Sequence, residues 1–100
     1  MQKNIADEEL VKDAKLKERI KVRQESDDLA FVMSTVQGRR FLWKVLGKCR
    51  LYETSLNQSG SMVYYNEGKR AVGLEILKEI VASDQEAYLK MMKESKEGIL

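Results

Sequence analysis

The chain opens on a stretch in which apolar residues are scattered, not striped. Ile5, Ala6, Leu10, Val11, Ala14, Leu16, Ile20 and Val22 stand among Lys3, Lys12, Lys15, Lys17, Arg19, Lys21 and Arg23 and among Asp7, Glu8, Glu9, Asp13 and Glu18. Leu10 and Ala14 share a helical face, as do Leu16 and Ile20, because residues four apart lie one turn above another. No wide apolar stripe forms. Acids crowd the first turns and bases the last, the arrangement a helix dipole favours. The pattern predicts a helix over about 6–23. A helix this polar is poorly held by its own domain, so it is expected to project as an arm.

The pattern then changes. Ser26, Asp27 and Asp28 supply a cap signal, and Leu29, Val32, Met33 and Val36 follow at three- and four-residue spacing, so a short helix is expected over about 27–34. Thr35 is the next cap candidate. Phe41, Leu42, Val45, Leu46 and Cys49 recur with helical period and predict a helix over about 36–48, with Gly47 near its end. Periodicity is lost in Arg50–Gly60, where Asn57-Gln58-Ser59-Gly60 reads as a turn. Ser61 could cap the longest apolar segment, about 62–82, with Met62, Tyr65, Val72, Ile76, Leu77, Ile80 and Val81 inward. Ser83 with Glu86 has the spacing of a capping box, and Asp84 is a rival cap. The last helix is expected over about 84–96, with Ala87, Tyr88, Met91 and Met92 inward and Gly98 ending it. The expected fold is all-α: a small bundle of about four helices, with an N-terminal helical arm over 1–25 and a helical domain over 26–100.

Composition agrees with this picture. One hundred residues make one domain. The chain has no proline, and 34% of it is charged against a usual ~25%, as amphipathic helices require. A net charge of +2 is too small to argue for nucleic acid by itself. No apolar run reaches the ~18 residues of a membrane span, so no membrane partner is expected. Cys49 is the only cysteine, and with no signal peptide evident it reads as a buried cytosolic thiol.

Chemistry is conspicuously missing. There is no histidine, so the usual acid–base group and commonest metal ligand are both absent. One cysteine cannot build a thiolate zinc site. Glu75 and Glu79 lie four apart between lysines and read as a solvated face. Gly68 and Gly73 do not form a phosphate loop, because no Gly-Lys-Ser/Thr follows them. No enzyme activity and no cofactor are expected.

The glycines and the charges suggest contact instead. Gly68 and Gly73, with Ala71 between them, would let a helix of the same domain, or of a neighbouring subunit, approach closely. Gly38 would do the same at the start of its helix. Residues 36–74 hold seven bases against two acids, whereas residues 75–97 hold four bases against six acids. Arg40, Lys44 and Lys48 recur every four residues as one ridge, with Trp43 nearby. Such a ridge could lie bare in solvent, meet an acidic protein surface, or grip phosphates. Arg39 and Arg70 lie closer to apolar positions, and guanidinium groups bury well in ion pairs. Glu67 is a conceivable partner for one of them. Arg39, Arg40, Trp43, Lys44, Lys48 and Arg70 are therefore the candidate interface.

Several segments between Met33 and Met92 are familiar together. They are Thr35-Val36-Gln37-Gly38-Arg39-Arg40-Phe41-Leu42-Trp43 with Leu46 and Cys49, the Leu51–Ser61 loop, Glu67-Gly68-Lys69-Arg70-Ala71-Val72-Gly73-Leu74, and Ala87-Tyr88-Leu89-Lys90-Met91-Met92. This part of the chain resembles a family of small proteins encoded beside the portal and head genes of short-tailed double-stranded DNA phages. The first 25 residues lie outside it. The resemblance implies a role in virion morphogenesis and carries no catalytic residues. The expected protein is a multi-copy structural component bound to the portal or a neighbouring connector protein, self-associating, located in the virion and in the host cytoplasm during assembly. A DNA-binding packaging accessory, an internal capsid or ejected protein, and a regulator of a host protein are the alternatives.

Overall fold

A computed structural model describes residues 5–51 and 60–100. Four helices make up the described chain: α1 Ile5–Met33, α2 Val36–Lys48, α3 Gly60–Ser83 and α4 Gln85–Lys96. The fold is a small all-α bundle. The turn expected at Asn57–Ser59 lies outside the described residues.

The first 29 helical residues form one element, not the two expected over 6–23 and 27–34. Ser26, Asp27 and Asp28 do not cap a new helix. A cap needs the chain to leave helical dihedrals, and Gln24-Glu25-Ser26-Asp27-Asp28 contains no glycine or proline to make it do so. The bases Lys17–Arg23 consequently sit in mid-helix, and the last turn of α1 carries none. Only the acids Asp7 and Glu8, in the first turn, still face a helix terminus.

The remaining boundaries follow local chemistry. Thr35 adopts extended dihedrals (φ −115°, ψ 153°), and its hydroxyl accepts from the Gly38 amide at 3.0 Å. Asp84, not Ser83, caps α4, accepting from the Ala87 amide at 3.1 Å. The Ser83 hydroxyl instead donates back to the Ile80 carbonyl. Helix α2 ends with Arg50 in the left-handed region at φ 56°. The Arg50 and Leu51 amides donate to the Gly47 and Leu46 carbonyls at 3.0 and 3.3 Å, a Schellman closure that folds Leu51 onto Leu46. Helix α4 closes the same way on Gly98 (φ 73°), with the Ile99 amide donating to the Glu94 carbonyl at 3.0 Å.

Every element sends one side chain to the centre. Met33, Leu46, Leu51, Ile80 and Met91 are buried, and Leu29, Leu42, Trp43, Ile76, Leu77, Ala87, Tyr88 and Leu100 pack around them. The inward set expected of α4 is buried or half-buried. Two other expected faces are corrected. On α3 the buried line is Asn66, Gly73 and Ile80, with Arg70 and Leu77 half-buried between them, while Met62, Tyr65, Val72 and Val81 are exposed. On α2 Phe41 points out at 62% exposure, and Trp43 packs on the core in its place.

Two glycines mark where backbones meet. A Cβ on Gly38 would lie 1.7 Å from the Val32 carbonyl oxygen, and one on Gly73 would lie 2.8 Å from the Cβ of Cys49. Gly68 faces open space. From Ile5 to Asp28, by contrast, every residue of α1 is exposed. The radius of gyration is 19.0 Å, against about 13 Å for a compact chain of this length.

The glycines predict opposite signs. Gly38→Ala should lower stability by about 3 kcal/mol, because the clash is with backbone that cannot rotate away. Gly68→Ala should raise it by roughly 0.5–1 kcal/mol, through lost unfolded-state freedom alone. Thermal and urea unfolding of the two variants beside the parent checks both.

Candidate partner interface

Arg39 sits in the second turn of α2, on the side that faces the core. Thr35 sets that orientation by fixing where α2 begins, and Gly38 lets the helix start lie directly on the end of α1. Arg39 is 5% exposed. Its Nε donates to Glu94 Oε1 at 2.5 Å, its Nη2 to Glu94 Oε2 at 3.2 Å, and its Nη1 to the Met33 carbonyl at 2.9 Å. One guanidinium therefore clamps α2 to the last turn of α4 and satisfies a carbonyl at the end of α1. A planar fork meets a carboxylate in two parallel bonds, which an ammonium cannot do.

Glu94 is the partner that sequence reasoning missed, having considered Glu67. A signal existed. Glu94 continues the inward line of α4, three residues past Met91, and a lone acid on such a line calls for a buried base. The Arg39 hydrogen bond holds the Glu94 carboxyl below its ordinary value; burial opposes this, and the charges of Arg39, Lys90 and Arg40 reinforce it.

Arg40, Lys44 and Lys48 are all exposed on the outer side of α2. Four-residue spacing places them in one row, each about 6 Å along the axis from the last. Arg40 is partly committed, because its Nη2 donates to the Ile99 carbonyl at 3.3 Å. The two consecutive arginines thus hold the two sides of the α4 terminus, Arg39 through a side chain and Arg40 through the closing loop. Lys44 and Lys48 extend the row away from this point. Trp43 is half-buried on the core and Arg70 half-buried on α3, its Nε enclosed without a hydrogen-bond partner. The six candidate residues thus divide. Arg39, Trp43 and Arg70 face inward to different degrees, and Arg40, Lys44 and Lys48 remain a surface.

Apolar surface is the other exposed feature. On α3, Tyr64 is 82% and Tyr65 59% exposed, with the Lys69 ammonium 4.4 Å from the Tyr65 ring centre. Val72 and Leu74 are exposed further along the same helix, and Leu10, Leu16, Ile20 and Phe31 along α1. Exposed large apolar side chains far outnumber the buried ones. Among the described residues no cluster of acids and cysteine could hold a metal ion, and no helix is long and apolar enough to cross a membrane.

The Arg39–Glu94 pair predicts a pH dependence. The folded carboxyl is held below 4.5, so folding favours the ionised form. The pair's contribution is complete above the unfolded carboxylate value and is lost as pH falls from there through the lower folded value. Melting temperatures between pH 7 and pH 3 should therefore show Arg39→Met and Glu94→Gln several degrees below the parent at neutral pH. The gap should close in acid, where Glu94 is protonated in all chains that retain it.

A family model described as Bbp19-like phage protein matches residues 29–93. Neither the curated proteins nor the solved structures give a match. The matched segment begins at Leu29, the first residue of α1 that is not fully exposed.

Proposed function

We infer, from the premise that this chain belongs to the Bbp19-like phage protein family, a non-enzymatic structural role in building the virion. In this reading several copies bind the portal ring, or a connector ring beside it, within the virion, after assembly in the host cytoplasm. Residues 26–100 form the assembling domain, and residues 1–25 an arm that reaches a neighbour.

One observation carries the reading. Among the described residues five apolar side chains are buried, yet many others are exposed on α1 and α3, more than the core they pack around can take. Exposed apolar side chains in this number suit a surface that is covered by other protein, the adjacent Tyr64 and Tyr65 above all. The charges support packing between copies. The basic row begins against the α4 terminus, but Lys44 and Lys48 carry it away from there. Head-to-tail packing would set these two bases against an acidic surface of the next copy, a heterologous contact that gives a ring where its rotation closes.

A second reading rests on the Arg40–Lys44–Lys48 row. Bases at one-turn spacing can follow a phosphate backbone, so the same surface would suit a DNA-packaging accessory. That reading requires binding that falls steeply with salt, and a loss of affinity when all three residues are changed to Glu.

Mass spectrometry of purified virions, quantified against the portal, tests the leading reading. A copy number matching the portal ring is expected. A much larger number would instead indicate an internal capsid or ejected protein, and absence from virions would overturn the structural role. Fluorescence anisotropy with duplex DNA at low and moderate salt tests the alternative. Little binding by the lone chain is expected, and a high-affinity, salt-sensitive complex abolished by Arg40→Glu, Lys44→Glu and Lys48→Glu would replace the structural reading with the packaging one.

A further inference from the structure

Helix α1 has two unlike sides. Val22, Ser26 and Leu29 line a groove with Glu79 and Ala82 of α3, so this side faces the domain. At 100° per residue, Ile20 and Gln24 lie roughly opposite Val22. The outward side therefore carries Leu10, Asp13, Lys17, Ile20 and Gln24, spaced alternately by three and four residues. That is the spacing of a coiled-coil seam. All five are exposed, Leu10 at 65% and Ile20 at 50%.

The charges on and beside this seam have a symmetry. Acids occupy its first half (Asp7, Glu9, Asp13) and bases its second half (Lys17, Lys21, Arg23). Two copies laid antiparallel, crossing near residue 15, bring Leu10 against Ile20 of the other copy and Asp13 against Lys17. The flanking positions then bring Asp7 to Lys21 and Glu9 to Arg23. Each of these contacts occurs twice by the two-fold axis, and every charged one joins opposite signs. A parallel pair in register would set Asp13 against Asp13 and Lys17 against Lys17. The scatter that denies α1 an apolar stripe of its own is thus ordered once a second, reversed copy is present.

We propose that the exposed half of α1 is a self-recognition element, pairing antiparallel with α1 of a second copy of this chain through the Leu10–Ile20, Asp13–Lys17, Asp7–Lys21 and Glu9–Arg23 contacts. The overlap spans about 20 residues, or roughly 30 Å. Because the crossing lies near residue 15, the two bundles sit at opposite ends of the pair and do not collide. Between residues 10 and 20 the seam has only two kinds of layer, one apolar and one ionic. The contact is accordingly weak between isolated chains and weakens with salt, and it gains strength where many copies are held together. This inference does not rest on the portal reading.

Two charge-reversal variants of the full chain test it. The first is Asp7→Lys with Glu9→Lys and Asp13→Lys. The second is Lys17→Glu with Lys21→Glu and Arg23→Glu. Sedimentation equilibrium at low salt and high micromolar concentration should show the parent in monomer–dimer exchange. Each variant alone should associate on the order of a hundredfold more weakly, because every ionic contact becomes a like-charge one. An equimolar mixture should recover the parent's association, since the mixed pair restores all six contacts; this recovery also shows that neither variant has simply lost its fold. Direction is read by crosslinking. Ala14 flanks the crossing point, so Ala14→Cys on a Cys49→Ala background should crosslink to its own counterpart readily, and Lys17→Cys should not. A parent that stays monomeric, variants that associate as the parent does, or a mixture that shows no recovery would overturn the proposal. Crosslinking at Lys17→Cys but not Ala14→Cys would overturn its antiparallel geometry. Virion copy number answers the portal question separately, so either conclusion can fail alone.

Discussion

The bundle hangs on one buried guanidinium. Arg39 is the place where α1, α2 and α4 are tied together: a carbonyl from the end of the first, the backbone of the second and a carboxylate from the third meet around it. Apolar contact alone is a weak specifier here, because so few side chains are buried and methionines are two of them. Leucine, isoleucine and methionine tolerate sliding, whereas a two-pronged ion pair fixes both distance and angle. Burying such a pair offsets most of its own desolvation, so its main effect falls on which arrangement is adopted and less on net stability. The constraints of Thr35 and Gly38 serve that placement. One starts α2 at the right residue, and the other lets it start against the end of α1. Arg40, next in the chain, extends the same arrangement to the loop that closes α4.

Much of the bundle was legible in the residues because its boundaries are local chemistry. A hydroxyl or carboxylate three residues before a free amide, and a glycine where the backbone turns left-handed, act within one turn of chain. Thr35 and Gly98 could therefore be read directly, Asp84 only as the rival of Ser83, and α2 and α4 have the expected limits within a residue. The length of α1 could not be read the same way. Ser26-Asp27-Asp28 is a valid cap wherever the chain breaks, and whether it breaks depends on what lies on either side. The closing of α2 at Arg50 was equally hidden, since a non-glycine residue occupies the left-handed position.

Faces were harder to read than ends. On α3 the buried line runs Asn66, Arg70, Gly73, Leu77 and Ile80, at alternating spacings of four and three. Three of those five residues are ones an apolar count discards. Of the residues such a count keeps, Ile76, Leu77 and Ile80 do face the core, while Met62, Tyr65, Val72 and Val81 are exposed. The same inversion hid Glu94 and misplaced Phe41. Glu94 is a polar residue on a buried line, and Phe41 is a large apolar one on the surface, with Trp43 packing on the core in its place. Gly73 explains part of this, because Cys49 lies too close to leave room for a larger side chain there.

An apolar surface around a partly polar interior makes sense for a chain whose environment is other protein. A monomer gains nothing from exposed tyrosine, leucine and phenylalanine, and its solubility suffers. A subunit gains contact area that is desolvated only on assembly. The buried Arg39–Glu94 pair serves the same end, since it fixes how the helices meet around a small apolar core while further apolar residues are directed outward. Helix α1 carries the division furthest. Its last turn is anchored by Leu29 and Met33, and its remaining length has no contact with the core, so whatever orders its outer face must come from another molecule. Acids in the first half of that face and bases in its second make it complementary to its own reverse.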